Sequence, residues 1–176
     1  MTNPAEVFDT RGNAPGPWWW FGKNLLVAAD VLSQHTDVDP GRLLLAGQGR
    51  AFRTAIAVLG PMLMLRACAM ECLLKAVYLD RGNILAKDGR YQKPPAPDHD
   101  LVTLARLAEL SPAPTVEAML AKLQRWVTAG RYPIETSWQR SFPEDASGYA
   151  WSEADEGEFL RFRAALFEND ERLSVE

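Results

Sequence analysis

One segment of the chain, residues 60–82, predicts a long helix that is apolar on nearly every side. Pro61 suits the first turn of a helix, and Gly82 is free to take the left-handed conformation that often follows a helix end. The charged residues between positions 62 and 79 are few: Arg66, Glu71 and Lys75. A helix of this kind must be surrounded by other segments, because its apolar surface extends almost all the way round. The sequence therefore predicts a bundle in which residues 60–82 form the central helix.

Four further segments carry apolar residues at helical spacing or cap signals, which predict helices around the central one. Thr115 is a favourable N-cap, and Ser152 with Asp155 resembles a capping box. The predicted helices are residues 18–34, a short helix starting at Asp98 or His99, a helix from Thr115 that closes at Gly130, and a last helix after Ser152. The predicted fold class is thus all-α, a bundle of four to five helices with long irregular loops.

A chain of 176 residues suits one domain. Residues 1–17 contain Gly, Pro, Asn and Asp without periodicity, so we expect a flexible N-terminal arm followed by a single domain over residues 18–176. The signals over residues 37–59 conflict, because a turn, a short apolar run and a glycine pair follow one another there. A strand and a lead-in to the central helix both stay open for the end of this stretch.

Composition and charge restrict the function classes. The net charge of −4 gives no general attraction to nucleic acids or anionic membranes, so a polyanion site has to be a local patch. No basic-then-apolar leader is present and Arg66 interrupts the only candidate membrane span, which predicts a cytoplasmic protein with no membrane partner. Cys68 and Cys72, at i, i+4, are expected to be small buried hydrophobic residues rather than a disulfide or a metal pair. Neither a metal nor a cofactor is predicted.

Several polar residues are candidates for a binding or catalytic site. Glu71 and Lys75, also at i, i+4, predict an intrahelical ion pair that is partly buried. His99, at a helix start, is either a structural cap or a proton carrier or ligand-binding group. Arg131 and Tyr132 follow a helix end and are either a structural clamp or part of a site.

Two unusual segments complete the set of candidates. The polar loop of residues 83–97 is basic and long, and loops of this length tend to be functional or disordered. Its cations are Lys87, Arg90 and Lys93. Three consecutive tryptophans at residues 18–20 favour a cap on the core or a dimer contact, with a ligand platform as the alternative.

Three short motifs, in order along the chain, resemble those of the HEPN superfamily, the nucleotide-binding domains of higher eukaryotes and prokaryotes. They are AMECLLKA at residues 69–76, HDL at residues 99–101 and GRYP at residues 130–133, within a resemblance that covers roughly residues 60–135. The resemblance implies an all-α bundle, often a homodimer, with roles in toxin–antitoxin or phage-defence systems, in RNA cleavage or in non-catalytic nucleotide binding. It also implies a partner protein encoded nearby.

The chain departs from HEPN ribonucleases at one motif. Catalytic members carry an arginine a few residues before the histidine, whereas residues 92–94 are Gln, Lys and Pro and Arg90 is too far upstream of His99. The resemblance therefore favours a non-catalytic domain that binds a nucleotide, RNA or a protein partner. Its binding residues would be Lys87, Arg90, His99, Arg131 and Tyr132, with the tyrosine ring offering a stacking face.

Two alternatives stay open. One is a metal-independent ribonuclease in which His99 acts as general acid/base and Arg131 stabilises phosphate charge. The other is a structural dimerisation module whose tryptophan-rich N-terminus forms the interface.

Overall fold

The computed structural model describes residues 3–34, 50–129 and 151–168 of the protein. Within these ranges the chain forms six α-helices and one two-stranded antiparallel hairpin. In chain order they are α1 (Pro4–Gly12), α2 (Pro15–Ser33), α3 (Arg50–Asp80), β1 (Ala86–Lys87), β2 (Arg90–Tyr91), α4 (Leu101–Leu107), α5 (Pro114–Ala129) and α6 (Glu153–Glu168). The prediction of an all-α bundle is confirmed. Among the described helices, none is long and apolar enough to cross a membrane.

Helix α3 lies at the centre of the bundle, as its apolar sequence predicts. Every residue from Met62 to Leu79 is buried or half-buried, and α2, α4 and α5 all pack against the helix. Leu63, Leu73 and Leu74 are fully enclosed. Burying a leucine side chain contributes about 1.5–3 kcal/mol, so enclosure of α3 is a major favourable term in folding.

The start of α3 differs from the prediction. The helix begins at Arg50, so Pro61 lies inside it rather than in its first turn. An interior proline removes one main-chain hydrogen bond and crowds the preceding turn. Pro61 itself is solvent-exposed, and packing of the helix after the proline, where Met62 and Leu63 are buried, outweighs the local cost. Residues 50–59 are therefore helical, and residues 37–49 lie outside the described part of the chain.

Helix α1 corrects the expectation of a flexible arm over residues 1–17. The Asn3 side chain caps the helix by accepting a hydrogen bond from the Ala5 amide at 3.1 Å, and Pro4 occupies the favourable first position. None of the residues of α1 is buried. The helix therefore has no apolar periodicity by which it could be recognised, and its cap residues were the available signal.

The starts of α4 and α5 also differ from the prediction. Helix α4 begins at Leu101 with Asp100 as its N-cap, and the Asp100 carboxylate accepts a hydrogen bond from the Thr103 amide at 2.9 Å. His99 has a φ of 61° and so cannot be the first helical residue. Helix α5 begins at Pro114, one residue before the predicted cap, because proline is well suited to the first helical position.

Two local predictions are confirmed. Gly82 follows α3 with a φ of 82°, which is the left-handed conformation expected of a residue just past a helix end. At the start of α6, the Ser152 amide donates to Asp155 Oδ2 at 2.9 Å and the Asp155 amide donates to Ser152 Oγ at 3.2 Å. This reciprocal pair is a capping box with aspartate in place of the usual glutamate.

The buried charge of α3 is paired across the bundle. Arg66 is only 2% exposed, and its Nη2 donates to Glu156 Oε1 on α6 at 2.9 Å. The guanidinium also lies 4.6 Å from the ring centroid of Phe159. Arg66 therefore connects α3 with α6 and, by this arrangement, avoids the cost of an unpaired buried cation.

Candidate functional site

A cluster of polar side chains surrounds Glu71 on one side of α3. Lys75 Nζ donates to Glu71 Oε1 at 2.6 Å, and both side chains are largely buried, which confirms the predicted intrahelical pair. Burial alone would raise the pKa of Glu71, but Lys75 and His99 together lower it below its usual value. Burial alone would likewise lower the pKa of Lys75, but Glu71 raises it above its usual value. Both groups are therefore held in their ionised forms.

His99 joins this cluster from the segment that precedes α4. Its Nδ1 lies 2.8 Å from Glu71 Oε2, and its side chain is 37% exposed. In the neutral form this arrangement places the ring proton on Nδ1, which donates to the carboxylate, and leaves Nε2 as an acceptor. A carboxylate that fixes the tautomer and orientation of a histidine is a common arrangement in binding and catalytic sites.

The backbone at His99 is strained. A φ of 61° is uncommon for a residue other than glycine, and it persists only where the surroundings impose it. Here the surroundings are the cap of α4, the Glu71 hydrogen bond and the bond from the Asp100 amide to the Pro97 carbonyl at 3.3 Å. Asp88 and Glu109 also have positive φ values, so it is the conformation together with the hydrogen bond to Glu71 that makes His99 a candidate functional residue.

Two aromatic rings enclose the ammonium group of Lys75. Its Nζ lies 5.2 Å from the ring centroid of Trp18 and 5.5 Å from that of Tyr91, within the range of cation–π attraction. The Trp18 indole is fixed in turn, because its Nε1 donates to the Gly12 carbonyl at 3.1 Å. The N-terminal helices and the hairpin thus both contribute a side chain to the site.

A cleft of about 180 Å³ opens beside this cluster. The segment of residues 93–100 forms one wall, and Lys93 Nζ pairs there with Asp98 Oδ1 at 2.7 Å. The hydrogen bond from Lys93 lowers the pKa of Asp98 below its usual value. The cleft is lined by Glu71, Lys75, Tyr91, Lys93, Pro94, Ala96, Pro97, Asp98, His99, Asp100 and Leu104. Its two lysines are each paired with a carboxylate and Asp100 adds a further negative charge, so the cleft by itself does not attract anions.

Unpaired cations lie on the adjacent hairpin. Lys87 and Arg90 are exposed and face each other across the two strands, and within the described residues neither forms an ion pair. The turn between them, Asp88 and Gly89, has φ values of 54° and 70°, as a tight two-residue hairpin turn requires. Tyr91 lines the cleft, whereas Lys87 and Arg90 do not. Side chains alternate along a strand and Lys87 pairs with Arg90, so these two cations lie on the face of the hairpin opposite Tyr91.

The structure brings together three of the seven residues that the sequence singles out for the site, and two more lie on the hairpin whose Tyr91 lines the cleft. Glu71, Lys75 and His99 form the cluster, and Lys87 and Arg90 lie on the hairpin next to it. Arg131 and Tyr132 lie outside the described residues.

The sequence predicts Trp18 as a cap on the core, a dimer contact or a ligand platform, and its ring packs against the core and lies beside Lys75. Tyr91 was not singled out, because it belongs to a short hairpin without apolar periodicity. The Asp-Gly pair at residues 88–89 was the one available signal for that hairpin. The three consecutive tryptophans lie in different environments. Trp18 lies beside Lys75, Trp19 is buried in the core and Trp20 is 67% exposed.

The chain matches no protein-family model, and no curated protein or solved structure is significantly similar to it.

Proposed function

We propose that the protein is a HEPN-like domain that binds a nucleotide or a short RNA segment in the cleft at His99 without cleaving it. The observation that carries the proposal is the position of His99, held by Glu71 in a strained conformation at the edge of a cleft. The hairpin that borders the cleft adds two exposed cations, Lys87 and Arg90, which form no ion pair with the described residues.

The dimensions and charges of the site support separate positions for the base and for the phosphates of the ligand. Small-molecule pockets generally measure about 300–1,000 Å³. A cleft of about 180 Å³ therefore suits one ring, such as a nucleobase, rather than a whole nucleotide. His99 Nε2 can accept a hydrogen bond from the base, and the ring of Tyr91 offers a stacking surface. The phosphates would be held by Lys87 and Arg90, since the cations inside the cleft are already neutralised.

The proposal is tested by titrating the protein with nucleoside mono- and triphosphates and with short single-stranded RNA at several salt concentrations. We expect binding that weakens as salt increases, because cation–phosphate contacts release counterions. The variant Lys87→Ala/Arg90→Ala should reduce both the affinity and its salt dependence. The matched control is Arg161→Ala, which removes an exposed cation of α6 that pairs with Glu158. Absence of salt-sensitive binding in the parent protein would refute the proposal.

A metal-independent ribonuclease is the second candidate, because Glu71 orients His99 as a general base requires. In this reaction Nε2 takes the proton of a ribose 2′-hydroxyl, the oxygen attacks the adjacent phosphorus, and the 5′-oxygen leaves after protonation by an acid. Incubation of RNA with the parent protein and with His99→Ala and Glu71→Gln separates the candidates. Cleavage that both variants abolish would favour the enzyme, whereas binding without cleavage favours the first proposal.

Self-association is a further part of the proposal and rests on the outer face of α2. Its apolar residues are exposed and the face carries no charge at positions 20, 21, 24, 27, 28 and 31. Three exposed aromatic rings, Phe8, Trp20 and Phe21, present roughly 300 Å² of apolar surface on a scale of about 150–250 Å² per ring. With Val27 and Val31, two copies would bury about 1,000 Å², which is the lower limit for a specific interface.

The mass of the protein in solution tests this interface. We expect a homodimer that Trp20→Glu/Val27→Glu converts to a monomer, since a symmetric interface would place these charges against apolar surface. A parent protein that is monomeric at high concentration would contradict the homodimer. A toxin–antitoxin or phage-defence role with a partner protein is the biological setting implied by the HEPN resemblance, and the genes that flank this one are its first test.

A further inference from the structure

The hairpin that carries Lys87 and Arg90 is too small to be stable by itself. Each strand has two residues, and an isolated two-stranded hairpin is at best marginal in water even when it is longer. One main-chain bond extends it, from the Gln92 amide to the Leu85 carbonyl at 2.8 Å. Contacts outside the hairpin must therefore keep it, with Tyr91, beside the cleft.

Asn13, between α1 and α2, supplies the first of these contacts. Its Oδ1 accepts hydrogen bonds from the Leu85 amide at 2.7 Å and from the Ala86 amide at 2.9 Å. Its Nδ2 donates to the Ala86 carbonyl at 2.8 Å. The Asn13 side chain thus forms hydrogen bonds along β1 like those of a neighbouring strand. Its NH2 group is the donor and its carbonyl oxygen is the acceptor.

Helix α1 holds the other end of the hairpin. Asp9 Oδ1 accepts a hydrogen bond from the amide of Gly89, in the turn between the strands, at 3.0 Å. The fit is close, because a Cβ added to Gly12 would lie 2.6 Å from Ala86 Cβ. The helix itself has no buried residue, so it adds little to the apolar core of the bundle. Its main described contacts are instead made with the two strands.

We propose that α1 and Asn13 form a positioning element of the ligand site, which holds the hairpin so that Tyr91 lines the His99 cleft and the long side chains of Lys87 and Arg90 can reach a phosphate outside it. This inference rests on the proposed nucleotide or RNA binding. Asn13 does not contact the ligand and acts through the hairpin. Its contribution is preorganisation, because without it the binding of a phosphate would also have to order the backbone of the strands that carry the cations.

The test is a double-mutant cycle between Asn13 and Arg90, read out as the affinity for the nucleotide or RNA that the parent protein binds. Asn13→Ala should weaken binding about tenfold at low salt, which is the expected effect when the backbone of about one hairpin residue must be ordered on binding. In the Arg90→Ala background the same change should have less than half this effect on a logarithmic scale, because the hairpin then has one cation fewer to position. Equal effects in both backgrounds, or no effect in the parent, would overturn the inference.

Two further variants serve as a control and as a replacement for Asn13→Ala. Thr10→Ala is the matched control on α1, because its hydroxyl donates to the Glu6 carbonyl of the same helix and to no other described residue, and the affinity of this variant should equal that of the parent. If Asn13→Ala does not fold, Asp9→Ala replaces it. Loss of the Asp9 charge would strengthen anion binding by itself, so weaker binding by about threefold supports positioning, and unchanged or tighter binding opposes it. A parent protein that binds no nucleotide or RNA would instead refute the proposed function.

Discussion

Removal of Glu156 should destabilise the fold by leaving the charge of Arg66 without its partner. Removing one partner of a buried ion pair typically costs about 3–5 kcal/mol, because the remaining charge stays desolvated. Arg66 is almost fully enclosed, but the side chain of Glu156 is 35% exposed, so solvent screens part of the interaction. We therefore expect Glu156→Ala to cost about 2 kcal/mol. In a chain of this size that corresponds to a fall in Tm of roughly 4–8 °C.

The cause of this loss is tested in a background that lacks the cation. Arg66→Met keeps most of the side-chain volume and removes the charge. In that background Glu156→Ala should lower the free energy of unfolding by only about 1 kcal/mol, the typical contribution of one hydrogen bond. The bond that is lost runs from Trp151 Nε1 to Glu156 Oε2. Thermal and urea denaturation followed by circular dichroism give the four stabilities of the cycle. If Glu156→Ala costs as much in the Arg66→Met background as in the parent, the reasoning from the stranded charge is wrong.

The same pair predicts a pH dependence. Burial would raise the pKa of Glu156, but the hydrogen bonds from Arg66 and Trp151 lower it below its usual value. A carboxyl group with a lowered folded-state pKa stabilises the fold fully above its unfolded pKa, and this contribution is lost as the pH falls through the folded value. The parent should therefore lose stability on acidification below about pH 4.5, and Arg66→Met should lose less over the same interval.

Three further predictions concern other parts of the molecule. Gly22→Ala should lower the free energy of unfolding by about 1–3 kcal/mol in urea denaturation, because the new Cβ would lie 2.9 Å from Leu73 Cγ in the α2–α3 contact. The control is Gly16→Ala, whose new Cβ would have no atom within 4 Å and which should be neutral or stabilising. Burial raises the pKa of the Cys72 thiol to about 12, so it should resist iodoacetamide at about pH 8 until the protein is unfolded, and rapid labelling of the folded chain would oppose this assignment. Glu71→Gln should reduce the loss of stability on acidification below about pH 4.5, because Glu71, whose pKa is lowered in the folded protein, stabilises the fold only while it is ionised. A pH profile of stability that is the same in the variant and the parent would contradict that account.

Features of the fold that depend on near neighbours in the sequence could be predicted from it. The apolar character of helix α3 follows from its composition, and the Glu71–Lys75 ion pair follows from i, i+4 spacing. The capping box at Ser152 follows from the three-residue spacing of its two members. In each case the interacting groups lie within one or two helical turns, so a local rule decides the outcome. Helix α1 was missed because it has no buried face, and the interior position of Pro61 was missed because tertiary packing outweighs the local preference of proline.

The candidate site was only half predictable for the same reason. The sequence singled out His99 and the hairpin cations, but Glu71 is 28 residues from His99 and Asn13 is 73 residues from Ala86. No local pattern specifies such pairs, because the free energy that brings them together comes from packing of the helices around α3. By itself the sequence determined the helical class, the central helix and the local charge pair. Only the tertiary structure decided that His99 receives Glu71 as its partner and that the N-terminal helix holds the hairpin beside the cleft, since both depend on distances that exist only after the bundle has assembled.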